Sequence, residues 1–147
     1  MSQRFVLPAL MVAILPIAAT PAPVSTRTGV YTQAQAADGA KLYAIRCAMC
    51  HGRQLEGSYE IPALQGRFIA NWSRAPLTNL NDYIARAMPQ FAPGSLKPDE
   101  TAKIVAYLLS ENGLPTGSQP LPSGGAAMGR IMLEPAPLTA EVASKAD

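Results

Sequence analysis

Cys47-Ala48-Met49-Cys50-His51 holds both cysteines and the single histidine of a 147-residue chain. Two thiols three positions apart, followed at once by an imidazole, form the pattern that attaches a c-type haem. Each thiol can add across one porphyrin vinyl group, and His51 then sits under the ring as the proximal iron ligand. A buried porphyrin would make up a large part of any core this chain builds. Three other chemistries fit the pentapeptide less well. A thioredoxin-like CxxC belongs in a βαβ pattern, and none surrounds it. A zinc site wants four ligands, and the chain has no second Cys/His pair. A disulfide across so short a loop gains little entropy and needs no histidine.

The N-terminus carries Arg4 and an apolar run from Phe5 to Ala19, broken by Pro8 and Pro16. The run is shorter than the roughly 20 apolar residues of a spanning helix. A positive residue, a short apolar stretch and a small-residue exit read as a secretory signal. Ala34-Gln35-Ala36 is the best cleavage site, which makes residues 1–36 the signal peptide and Ala37 the new start. An uncleaved anchor is the other reading. Export to the periplasm agrees with the pentapeptide, because c-type haem is attached outside the cytoplasm, and no transmembrane span remains after cleavage.

Charge excludes some functions. The formal +2 comes from 12 basic and 10 acidic residues, and Arg4 and Arg27 fall in the signal, leaving 10 of each. A near-neutral chain gives no support for nucleic-acid binding or for strong steering toward an acidic partner. The remaining 111 residues, 147 less 36, make one domain. Residues 37–115 carry it. Residues 116–147 are a Pro/Gly/Ala-rich extension, partly disordered, in which Met128 to Leu133 could dock back on the domain.

Three helices are legible. The first spans about Asp38 to Ala48 and delivers Cys47 and Cys50 at its end. The second spans about Leu80 to Ala87. The third begins at Pro98, with Asp99 and Glu100 in its first turn, and stops at Gly113. No convincing strand is present, so the expected fold is all-α, with about three to five helices. Gly39, Tyr43 and Cys47 stack on one face of the first helix. A glycine there lets a second helix approach closely, and Tyr107 on the last helix is the candidate to fill the notch.

A haem iron held by His51 needs a distal ligand or an open site. With no second histidine, methionine is the remaining usual ligand, and Met88 is best placed. Pro89 disfavours helical geometry at Met88, so the thioether is released at the end of the second helix. Pro93 and Pro98 stiffen the loop that follows. The competing fate of Met88 is core packing. Met49 lies inside the attachment loop, and Met128 and Met132 in the extension are the runner-up ligands.

From about Ala37 to Pro115 the residues resemble class I c-type cytochromes. More narrowly, Met88-Pro89, Ala92-Pro93-Gly94-Ser95-Leu96, Ile104-Val105-Ala106-Tyr107-Leu108-Leu109 and Asn112-Gly113-Leu114-Pro115 are similar to cytochromes that accompany quinoprotein alcohol dehydrogenases. The resemblance implies a helical fold wrapped round one haem c, with first and last helices crossing. It implies that the Pro62 carbonyl hydrogen-bonds the second nitrogen of His51, with Leu64 packing on the haem. By position it also offers Trp72 as a donor to a propionate, although core packing explains Trp72 equally well. Arg67 and Arg74 could meet propionates too, with surface solvation the simpler reading.

These expectations converge on an electron carrier rather than an enzyme. His/Met ligation fills both axial sites, and the soft thioether favours ferrous iron. The expected donor is a quinoprotein dehydrogenase and the expected acceptor a terminal oxidase or another cytochrome. A gas sensor with an open or displaceable distal site is the alternative. A peroxidase would want a distal base, and no histidine is left to serve.

Overall fold

The structure, a computed structural model, describes residues 21–136. The apolar run Phe5–Ala19 and the end of the expected tail, residues 137–147, lie outside the described residues. Helix α1 spans Gln33–Arg46 and α2 spans Ala48–His51, with Cys47 between them. Helix α3 (Arg67–Trp72), helix α4 (Leu77–Ala87), helix α5 (Pro98–Glu111) and helix α6 (Gly125–Gly129) follow. The fold is helix-dominated, as expected.

Helix α5 is the central element. Pro98 occupies its first turn, and Glu100 Oε2 accepts the Lys97 backbone N–H at 2.9 Å, so one orphan donor is satisfied. Thr101, Ala102, Ile104, Val105, Ala106, Leu108 and Leu109 are all buried on it. That stripe is too wide for a surface helix, so α5 has neighbours on several sides. The most extensive of these contacts is with α1. The two helices meet at Gly39, where an added Cβ would lie 1.9 Å from the Lys103 carbonyl oxygen and 2.9 Å from Tyr107 Cβ. The rings of Tyr43 and Tyr107 then pack 5.3 Å apart and tilted by 49°.

Three short strands correct the expectation of a chain without any. Strands β1 (Val24–Ser25), β2 (Ala75–Pro76) and β3 (Ile131–Leu133) form a sheet in the order β1-β3-β2. Strand β3 runs parallel to β1, with Val24 opposite Ile131, and antiparallel to β2, with Ala75 opposite Leu133. Strands of two or three residues show no alternation long enough to read in the sequence.

Residues on both sides of the expected boundaries at 36 and 115 pack against the unit between them. A cut after Ala36 falls inside α1, where Thr32 Oγ1 caps the helix by accepting from Gln35 N. Upstream, Thr26 is fully buried and its hydroxyl both donates to the Glu134 carbonyl and accepts from Glu134 N. The Tyr31 hydroxyl donates to the Leu114 carbonyl at 2.6 Å. The Gln35 side-chain amide pairs with the backbone of Leu121 through two hydrogen bonds. Ser25 Oγ meets the Glu134 carboxylate, and Arg27 lies 3.8 Å from it. From the other side, Leu121, Met128, Ile131 and Leu133 are buried in the common core. Residues 24–35 and 114–134 therefore clasp each other, and β3 also holds β2 at the entrance to α4.

Candidate haem site

The attachment pentapeptide forms a sharp corner. Cys47 leaves α1 with φ −127° and ψ −37°, and α2 turns at once. Gly52 (φ 81°) ends α2, and its carbonyl accepts the Tyr43 hydroxyl at 2.7 Å. The loop after it is tied back by Gly57 N to the His51 carbonyl (2.8 Å) and by Leu64 N to the Leu55 carbonyl (2.8 Å). Gly57 has φ 65°, and a Cβ there would lie 2.4 Å from the Ile61 carbonyl, so only glycine suits this turn.

The loop brings the Pro62 carbonyl to 3.0 Å from His51 Nδ1. A carbonyl can only accept, so Nδ1 carries a proton, and in the neutral ring Nε2 then keeps its lone pair. Cys47, Cys50, His51, Pro62, Leu64, Trp72 and Met88 all line one cavity of about 600 Å³. These seven residues thus come to the same place. The volume lies within the range of sites for bulky cofactors. The walls are mainly apolar, with Phe68, Leu80, Ile84, Ile104 and Leu108 among them. Burial pushes the Cys47 thiol up to about 11, outweighing the lowering by the nearby Arg46 cation.

Met88 arrives from α4. Its own N–H closes the helix on the Ile84 carbonyl at 3.0 Å, and its backbone is extended, with φ −118° and ψ 150°. The helix ends where Pro89 makes it end, and the thioether is left on the cavity wall. Of the other methionines, Met49 also lines the cavity but is 80% exposed on the attachment loop. Met128 is fully buried in the core away from the cavity, and Met132 sits in β3 opposite Ser25 and Pro76.

Trp72 meets both the core and the cavity. It packs 5.3 Å from the Tyr83 ring beside the core and forms part of the cavity wall. Arg67 and Arg74 do not line the cavity; Arg67 starts α3, and Arg74 N bonds the Leu133 carbonyl. The arginine that does line it is Arg46, which sequence reasoning passed over. Its position directly before Cys47 was the available signal. Helix α3, with Phe68, was missed because six residues are too few to establish a helical period.

The donor set fits a covalently held haem. Two thiols and an imidazole sit at one corner, a thioether enters from a separate helix, and the space between is apolar and of suitable size. Fold and site together define a class I c-type cytochrome. Residues 34–108, just over half of the chain, match the cytochrome family described as cytochrome c oxidase, cbb3-type, subunit III, and the chain belongs to that family. Among solved structures, the sulfane dehydrogenase SoxCD from Paracoccus pantotrophus is similar, at 28% identity and a TM-score of 0.46. The match covers 69% of this chain and 59% of that one. No curated protein matches the chain.

Proposed function

We propose that this cytochrome is a monohaem electron carrier in which His51 Nε2 and the Met88 thioether are the two axial ligands. A haem c bound through Cys47 and Cys50 would supply a one-electron Fe(III)/Fe(II) couple. The observation that carries the reading is convergence. His51, oriented by Pro62, and Met88, freed by Pro89, line the same apolar cavity. The residues do three things there. Pro62 holds the imidazole in the tautomer that leaves Nε2 available. Met88 contributes a soft, neutral donor that favours the reduced state. The apolar walls exclude water, which favours the form of the site with less net charge.

Comparing spectra of the ferrous protein with and without CO tests the ligation. An unchanged spectrum is expected. A CO shift at low ligand concentration would replace this reading with the gas sensor.

The partners we propose are a quinoprotein dehydrogenase as donor and a terminal oxidase or another cytochrome as acceptor. Support comes from the resemblance carried by Met88-Pro89 and Ala92–Leu96. Rapid reduction of the ferric protein by a purified quinoprotein alcohol dehydrogenase with its alcohol is the test, and no reduction would reject that donor.

The location we propose is the periplasm, with the signal removed upstream of Val24 rather than after Ala36. Burial of Thr26 and Tyr31 supports this placement of the cut. The intact mass of the exported holoprotein decides it: a chain starting at Ala37 would refute it.

A further inference from the structure

Between the buried Pro89 and Leu96, the loop after Met88 makes few hydrogen bonds to the rest of the protein. Residues 89–95 make two internal turns, Ala92 N to the Pro89 carbonyl and Ser95 N to the Ala92 carbonyl. Their anchors lie at the two ends, where Met88 closes α4 and Leu96 is buried ahead of α5. Among the described residues, one hydrogen bond ties this stretch to any other element: Arg46 Nη2 donates to Ser95 Oγ at 3.1 Å. Arg46 is half-buried at the end of α1, lines the cavity and directly precedes Cys47. Its guanidinium therefore bridges the attachment corner and the methionine-bearing loop, 49 residues apart in sequence.

We propose that Arg46 is a positioning residue that latches the distal loop through Ser95 and thereby limits displacement of Met88 by outside ligands. The inference rests on His51/Met88 ligation as proposed above. An exogenous ligand must move the thioether aside, and the loop carrying it must then swing outward. While the latch holds, that movement breaks a hydrogen bond to a charged group. Without it, the internal turns and the buried Pro89 and Leu96 still resist, but no hydrogen bond to another element does. A hydrogen bond of this size shifts such an equilibrium by about two- to tenfold. Arg46 also lines the cavity, so replacing the arginine alone would mix packing with the latch. Ser95→Ala removes only the acceptor.

The test is imidazole titration of the ferric holoprotein, followed by its absorption spectrum, for wild type, Ser95→Ala, Arg46→Gln and the double variant. Each single variant is expected to bind imidazole about two- to tenfold more tightly than wild type. The double variant is expected to bind no more tightly than Arg46→Gln, because both changes remove one bond. Wild-type affinity in Ser95→Ala, or fully additive effects in the double variant, would overturn the latch. The ferrous CO spectrum of the same wild-type sample keeps the two questions apart. A wild-type protein that resists CO while Ser95→Ala behaves like it refutes the latch alone. A wild-type protein that binds CO readily refutes the ligation, and the latch with it.

Discussion

Gly39→Ala tests the helix crossing on which the cavity depends, because two effects of known size act in opposite directions there. Inside an exposed helix, exchanging glycine for alanine stabilises by up to about 1 kcal/mol. At Gly39 the new Cβ would stand 1.9 Å from the Lys103 carbonyl oxygen, and real Cβ contacts stay beyond 3.0 Å. Helices α1 and α5 must therefore part by at least about 1.1 Å. The obstacle is backbone, so no rotamer change relieves it. Overpacking of this kind costs about 1–3 kcal/mol, and a backbone clash across the largest helix contact belongs at the upper end. The net expectation is a loss of about 2 kcal/mol, or a Tm lower by about 10 °C for a domain of this size. Urea and thermal unfolding of the ferric holoprotein, followed by Soret circular dichroism, provide the assay. Adding Tyr107→Ala is not expected to rescue the variant, since Lys103 makes the closer contact. A Gly39→Ala protein as stable as wild type, or more so, would refute the close crossing.

Tyr31→Phe should cost about 1–3 kcal/mol in urea unfolding, because the buried Leu114 carbonyl loses its donor. The same variant tests whether residues upstream of α1 belong to the exported domain, since a chain lacking them would not respond to it. Stability should also fall in alkali. Burial raises Tyr31, Tyr43 and Tyr107 above the ordinary tyrosine value of 10.0. The folded chain thus holds phenolic protons that the unfolded chain has released. Their stabilisation is complete below about pH 10 and declines as pH rises toward the folded values. Urea midpoints that stay flat between pH 9 and roughly 11.5 would contradict this.

The local chemistry was legible because it lies in short sequence patterns. The pentapeptide, the Met88-Pro89 step and the Pro98-Asp99-Glu100 helix start each act over a few residues. Gly39 was legible for the same reason, as one glycine on a repeating face. The clasp between residues 24–35 and 114–134 was not. Ala34-Gln35-Ala36 has the small residues of a cleavage site and equally the composition of a helix's first turn. Only the distant partners of Tyr31 and Gln35, at Leu114 and Leu121, separate the two. The extension was legible in part. Its prolines and glycines suggest a loose tail and its apolar run Met128 to Leu133 a docked one, and Met128, Ile131 and Leu133 are buried where α6 and β3 meet α4 and β2. Arg46 was passed over because its partner, Ser95, is remote in sequence.

The central claim is that Met88 is the distal ligand, and proton NMR of the reduced holoprotein tests it most directly. A methionine methyl held over the face of a haem is shifted far upfield by the ring current. The account predicts one such three-proton resonance in the wild-type protein and its loss in Met88→Ala, with haem still attached at Cys47 and Cys50. An absent upfield methyl in wild type, or one that survives in Met88→Ala, would contradict it.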